Sequence, residues 1–361
     1  MGVERTTHDP RALKLDDPTI YERADVHRMR DVLTGFPAQC RTAAELVPIP
    51  AVTIPRPRVV LVAGMGGSAS SGDLLAGCAA ERLDVPVIVH RGYGLPTMAG
   101  ERDLVIASSY SGDTVESLSA AEAALSRGCP LVAVTSGGRL AALARERGVP
   151  RVTLPAGLMP RMALGYLFFP LLGILKSADL HVVKAAEIDE AFSVVDALAG
   201  ELHPARPTAT NEAKRLARAI GDSLPVVYGG PITGTVAYRW KTDLEENAKT
   251  FAVAGVLPEM NHNEIEAWSA PLARQLSLVL LRDGEEGREI ARRFGLLREL
   301  IGSGAAGVVE ASTRGDSVIA RLLSLASLGQ WTSYYLAILR GVDPWSVPVL
   351  DALKGRMRSH H

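Results

Sequence analysis

The residues best suited to chemistry in this chain sit in two small corners. Residues 108–114 read Ser-Ser-Tyr-Ser-Gly-Asp-Thr, directly after the apolar run Leu104–Ala107. A plain turn needs one or two polar residues, yet this corner offers four aliphatic hydroxyls and a glycine. A second corner, "VAGMGGSASSGDLL" (62–75), follows an earlier apolar run and carries Gly64, Gly66, Gly67 and Ser68. Neither corner holds a cation: residues 65–80 contain no Lys or Arg, and between 103 and 126 the only charges are acidic. An anion bound there would rest on hydroxyls, backbone N–H groups and helix N-termini. Ordinary capping and tight turning account for either corner alone; two of them after strands of one sheet point to a ligand.

Two familiar phosphate grips are weaker fits. Gly64, Gly66 and Ala69 satisfy the dinucleotide fingerprint G-x-G-x-x-A, but that pattern wants an acidic residue after the next strand. Here the next strand ends in His90 and Arg91, which would suit only a phosphorylated cofactor. No G-K-[ST] occurs, so the corner is not a P-loop.

The elements that position the corners follow from the apolar runs. "VVLVAGM" (59–65), "VPVIVHR" (85–91), "DLVIASS" (103–109), "PLVAVTS" (130–136) and "RVTLP" (151–155) alternate with helical stretches. The pattern restarts with "LPVVYGG" (224–230), "LSLVLLRD" (276–283) and "AGVVEAS" (306–312). Continuous Val/Ile/Leu runs separated by helices indicate parallel sheets covered on both faces. In such sheets the strand C-termini line one crevice, where Gly66, Gly67 and Ser68 can face Ser109, Ser111 and Thr114. Asp113 and Glu116 fit a D-x-x-E cap for the helix that follows. Residues 11–45 read as helical with a break at Gly35–Pro37, and 49–58 as a Pro-punctuated linker.

Composition narrows the class. The 361 residues suit two domains of ordinary size. A formal charge of −1, with only seven scattered lysines, argues against a nucleic-acid footprint. Cys40, Cys78 and Cys129 are widely spaced, without a CxxC, and read as reduced thiols. No His/Cys/Asp cluster has metal-ligand spacing. The first 17 residues show no apolar leader. The most apolar run, 162–175, is shorter than the roughly 20 residues of a bilayer span and is interrupted by Pro170, so it reads as a buried helix. His360 and His361 are left out of the chemistry.

The two corners resemble the sugar isomerase (SIS) domain, whose Ser/Thr-rich loop cradles a sugar phosphate. The fuller pattern resembles the bifunctional phosphoglucose/phosphomannose isomerase family: "MGGSASSGD" (65–73), "SYSGDT" (109–114), "MPRMALGY" (159–166), "EENAK" (245–249), "NHNEI" (261–265) and "LDALK" (350–354) match in chain order. The resemblance implies an α/β fold of two SIS-type subdomains, each a parallel sheet flanked by helices in a flavodoxin-like or Rossmann-like three-layer sandwich. The expected division is an N-terminal helical segment (1–50), a first SIS subdomain (51–178), a second (179–342) and a C-terminal segment (343–361). It further implies a cytoplasmic homodimer with a shared active site, acting on a phosphorylated hexose without metal or cofactor.

Roles follow residue by residue. Gly66, Gly67, Ser68, Ser109, Ser111 and Thr114 would bind the substrate phosphate. Glu246, on a helix read over 235–251, matches the family's base, and moving a proton between sugar carbons is work a carboxylate suits. Glu245 reads as its solvated neighbour. His262 is implied to open the sugar ring from the partner subunit; "NHNEI" reads as a capping box of Asn261 with Glu264, placing His262 at the first helical position. Arg161 would stabilise the enediolate, and Lys354 would assist ring opening or contact a sugar hydroxyl. Without the resemblance, Glu246 is an ordinary solvated helix residue, His262 an exposed histidine, Arg161 a helix-end arginine and Lys354 a tail lysine. The chain departs from the family pattern in three places, the first being Ser70, near an alanine, where the family often has Ile after the MGGS run. Asp113 stands where the family has Asn, and would repel a phosphate unless turned away as a cap. Asp343-Pro344-Trp345-Ser346 stands where the family has Asp-Pro-Thr-Pro, which bears on the substrate accepted. The alternatives are a non-catalytic sugar-phosphate-binding protein, an isomerase of a related phosphosugar, and an NADP-linked enzyme. Regulatory sensors usually carry a basic recognition helix, which residues 1–50 lack.

Overall fold

The computed structural model describes residues 14–358, so most of the first 17 residues and both terminal histidines lie outside the described residues. The chain forms two compact units that are not contiguous in sequence. Each is built on a parallel sheet.

The first-sheet unit comprises residues 35–196 and 314–324. Its strands are β1 (Val60–Ala63), β2 (Val87–His90), β3 (Leu104–Ser108), β4 (Leu131–Thr135) and β5 (Arg151–Thr153), in the order β2-β1-β3-β4-β5. All neighbours run parallel, with Val62 opposite Ile106 and Ala63 opposite Ala107. The inner strands β1, β3 and β4 are buried throughout, which is why they are written as unbroken apolar runs. One face packs Leu61, Val105 and Ala133 against Leu118, Ala121 and Leu140. This order places the direction reversal between β1 and β3. Their C-termini therefore open the crevice where sheets of this kind bind ligands.

The most apolar run forms the buried helix Leu164–Lys176, Pro170 included. No helix among the described residues is long and apolar enough to cross a membrane. Cys40, Cys78 and Cys129 are all buried free thiols, and burial pushes Cys78 up to about 12.

The second-sheet unit takes residues 14–34, 197–313 and 325–358 of the described chain. Its strands β6 (Leu224–Gly229), β7 (Val253–Val256), β8 (Leu276–Arg282) and β9 (Gly307–Ser312) lie in the parallel order β7-β6-β8-β9. Strand β7 was not expected from the sequence. It is four residues long, half-exposed at the sheet edge, and contains Gly255, whose missing side chain admits the Tyr228 ring (an added Cβ would lie 2.7 Å away).

The expected helical stretch over 11–45 is cut at the Gly35 break: residues up to Thr34 belong to the second-sheet unit and those from Gly35 to the first. Its beginning is anchored through fully buried Lys214. That ammonium donates to the carbonyls of Leu15, Pro204 and Arg206, each at 2.8 Å, and to the Asp16 carboxylate at 3.2 Å. Tyr334 adds a 2.9 Å hydrogen bond to buried Asp25. Such a buried cation is tolerated only because its donors are all matched.

Candidate active site

The glycine corner is shaped by what its glycines exclude. The helix Gly66–Ala79 starts with Gly66 at φ +51°, behind Met65, which supplies no side-chain cap. The Ser68 N–H is taken by the Met65 carbonyl at 3.1 Å, while the N–H groups of Gly66 and Gly67 stand at the helix start after β1. A Cβ on Gly64 would lie 3.1 Å from the Ser108 carbonyl oxygen, so the two corners touch. A Cβ on Gly67 would lie 2.5 Å from the Pro160 carbonyl oxygen and 3.2 Å from the Arg161 nitrogen. Ser68 is buried beside them.

The hydroxyl corner is internally braced. Ser109 Oγ donates to Thr114 Oγ1 at 2.9 Å and accepts the Gly112 N–H at 3.1 Å. Thr114, the acceptor in that pair, retains its own hydrogen for a further bond. Ser111 is exposed, and its Oγ accepts the Asp113 N–H at 3.3 Å. Thr114 stands at the N-cap of the helix Val115–Ser126 without a side-chain capping bond. The expected D-x-x-E cap is thus corrected. Asp113 turns away from that helix and accepts the Arg139 N–H at 3.0 Å, capping the helix Gly138–Glu146 after β4. The cause is a third corner, Gly137–Gly138, that the pattern of apolar runs does not mark. Gly112 (φ +76°) approaches it so closely that a Cβ would lie 1.8 Å from the Gly137 carbonyl oxygen. "TSGG" (135–138) was the signal available. The Asp113 carboxylate is thus turned aside as a cap, but of the helix after β4 and not of the one it precedes.

Arg161 brings positive charge that neither corner has. It is 4% exposed, in the short 3-10 turn Pro160–Met162 that abuts Gly67. Two side chains fix that turn. Buried Gln39 donates to the Met162 carbonyl at 2.9 Å and accepts the Gly165 N–H at 2.7 Å. Tyr110, inside the hydroxyl corner, donates to the Pro155 carbonyl at 2.7 Å and accepts the Leu158 N–H at 3.1 Å. Gln39 and Tyr110 are positioning groups that the sequence did not single out, because nothing local marks a long-range amide or phenol bond.

Glu246, His262 and Lys354 belong to the second-sheet unit. Glu246 is half-buried in the last turn of the helix Gly234–Ala248. Trp240 sets that helix: its indole donates to the Leu325 carbonyl at 2.8 Å and lies 2.3 Å from where a Gly329 Cβ would stand. Glu245 pairs with Lys241 at 2.8 Å, so it is engaged on the surface rather than merely solvated. His262 is exposed at the end of the 3-10 turn Glu259–His262, not at a first helical position. The capping box is corrected with it. Asn263 caps the four-residue helix Glu264–Ala267 through the Glu264 N–H at 2.6 Å, while Asn261 accepts from Arg293 at 3.3 Å. Glu264 instead takes a 3.1 Å hydrogen bond from the Tyr228 hydroxyl. Lys354 is exposed on the helix Pro348–Arg358.

Comparison with known proteins places this geometry. Residues 209–357 match the family profile described as the bacterial phospho-glucose isomerase C-terminal SIS domain. A bifunctional phosphoglucose/phosphomannose isomerase from Caldicellulosiruptor bescii is 39% identical over 303 residues, 82% of this chain and 89% of the relative. One from Thermoplasma acidophilum is 32% identical with the same coverage. In fold the chain is similar to the crystal structure of a glucose-6-phosphate isomerase like protein from Thermus thermophilus, with a TM-score of 0.61 and 22% identity over 94% of this chain and 98% of that one. The two parallel sheets are those of SIS-domain proteins, and at such identity over 82% of its length the chain belongs to the bifunctional phosphoglucose/phosphomannose isomerase family.

Proposed function

We propose that this protein is an aldose–ketose isomerase exchanging fructose 6-phosphate with glucose 6-phosphate and mannose 6-phosphate. The observation that carries the reading is the junction at the β1/β3 switch point. There the Gly66–Ser68 helix start, the Ser109–Thr114 corner and the turn bearing buried Arg161 adjoin, in a chain of this family. Gly66, Gly67, Ser68, Ser109, Ser111 and Thr114 bind the ester phosphate by hydroxyls and N–H groups. In the open-chain ketose Glu246 takes the proton from C1 and returns one to C2, through a cis-enediol(ate) whose charge Arg161 offsets. His262, from the partner subunit, transfers the proton that opens the ring, and Lys354 assists. The reaction uses no metal or cofactor.

The same reading makes the protein a cytoplasmic homodimer. In the single chain Val349 and Leu353 are 81% and 58% exposed, one turn apart on the helix that carries Lys354. An apolar stripe of this kind suits a subunit contact. Incubation with fructose 6-phosphate tests the function: both aldose phosphates are expected to accumulate. Tight binding without either product would instead favour a sugar-phosphate sensor.

A further inference from the structure

Three non-glycine residues of the described chain hold a positive φ, and two of them bear on one loop. Lys249 (φ +51°) is the left-handed C-cap of the helix Gly234–Ala248, three residues after Glu246. Glycine is the usual occupant at such a helix end, with Asn next, because a Cβ is strained there. A lysine held in that conformation calls for a use of its side chain. Its ammonium donates to the Glu246 carbonyl at 2.8 Å and to the Asp343 carbonyl at 2.7 Å. Asp343 opens the segment Asp343–Ser346, and its carboxylate folds that segment by accepting the N–H groups of Trp345 (2.9 Å) and Ser346 (3.3 Å). The second strained residue, Arg28 (φ +56°), follows His27. His27 Nδ1 lies 3.3 Å from the Asp343 carboxylate, and its ring stacks on Trp345 with centroids 6.0 Å apart. The segment is therefore held from two sides before it enters the helix Pro348–Arg358.

We propose that Lys249 is a positioning residue of the isomerase: by bridging the turn that bears Glu246 to the Asp343–Ser346 segment, it fixes the base relative to the helix that carries Lys354. The inference rests on the function proposed above. It assigns Lys249 no contact with substrate. Small displacements of a reacting group lower the turnover rate far more than they weaken substrate binding, with about 10²-fold lost for a 1 Å misplacement.

Lys249→Asn and Lys249→Arg test it. Asparagine accepts the left-handed backbone and lacks the ammonium, so the variant is expected to melt no lower than the parent. Its kcat on fructose 6-phosphate should fall about 10- to 100-fold with KM changed less than about threefold. Amide exchange should quicken together at residues 246–250 and 343–347, and Lys249→Arg should restore most of the lost kcat. An active parent whose Lys249→Asn variant turns over within twofold of it would overturn this inference alone. So would unchanged exchange at 343–347 in that variant, or an arginine variant no better than the asparagine one. A parent that exchanges no substrate hydrogen with solvent would overturn the function, and this inference with it.

Discussion

At the scale of single residues, the proposed site combines uncharged donors with a few charged groups. Ser109, Ser111 and Thr114 hold their hydroxyls by short-range bonds within one corner. The corner itself is legible in sequence, because its small hydroxyl residues directly follow the buried strand Leu104–Ser108. Roles for Glu246, His262 and Lys354 were not legible by chemistry alone: one is half-buried and two are exposed, as ordinary surface residues are. Only the family pattern singled them out. Glu246→Gln therefore makes the sharpest test at this scale. The amide keeps size and hydrogen bonding but cannot take a proton, so kcat is expected to fall on the order of 10²–10⁴. Binding of fructose 6-phosphate, read by calorimetry, should change little. Parent-like turnover would remove Glu246 from the mechanism.

At the scale of elements, the strands declared themselves through composition and the caps did not. Eight of the nine strands among the described residues coincide with apolar runs, whereas β7 is short, glycine-containing and half-exposed, so it offers no period to read. Both capping expectations failed for a shared reason. Asp113 and Asn261 each stand three residues before a glutamate, but tertiary partners, the Arg139 N–H and Arg293, take their side chains instead. The contact of Gly67 with the Pro160 turn was equally invisible, since it joins segments far apart in the chain. It gives the prediction proper to this scale. In Gly67→Ala the new methyl would stand 2.5 Å from a backbone oxygen, so the turn bearing Arg161 must move. Overpacking of this kind costs about 1–3 kcal/mol. The melting temperature should drop and kcat/KM should fall at least about tenfold, whereas a variant with parent kinetics would show that the turn does not set the site.

At the scale of the molecule, the sequence declared two parallel sheets but not how the chain is shared between them. The helical lead-in reads as one segment, yet Lys214 and Tyr334 tie its first part into the second-sheet unit. Charge partners acting over such separations also govern acid stability. Buried Asp103 receives a two-pronged bond from Arg58, at 3.0 and 2.8 Å, which chiefly holds its carboxyl below the ordinary range, with the Gly100 N–H adding to it. A depressed folded-state pKa contributes stability in full above the unfolded value, near 3.9, and loses it as pH falls through the folded value. Asp103→Asn should accordingly melt below the parent at pH 7, with the gap closing below about pH 4. A gap independent of pH would assign the loss to packing. The central claim, that one site grips the phosphate while a carboxylate moves a proton between C1 and C2, is tested most directly by NMR of fructose 6-phosphate with the protein in D₂O. Solvent deuterium at C1 of the ketose, or at C2 of the glucose and mannose phosphates formed, is the expected result. Bound substrate with no deuterium at either carbon and no aldose formed would contradict it.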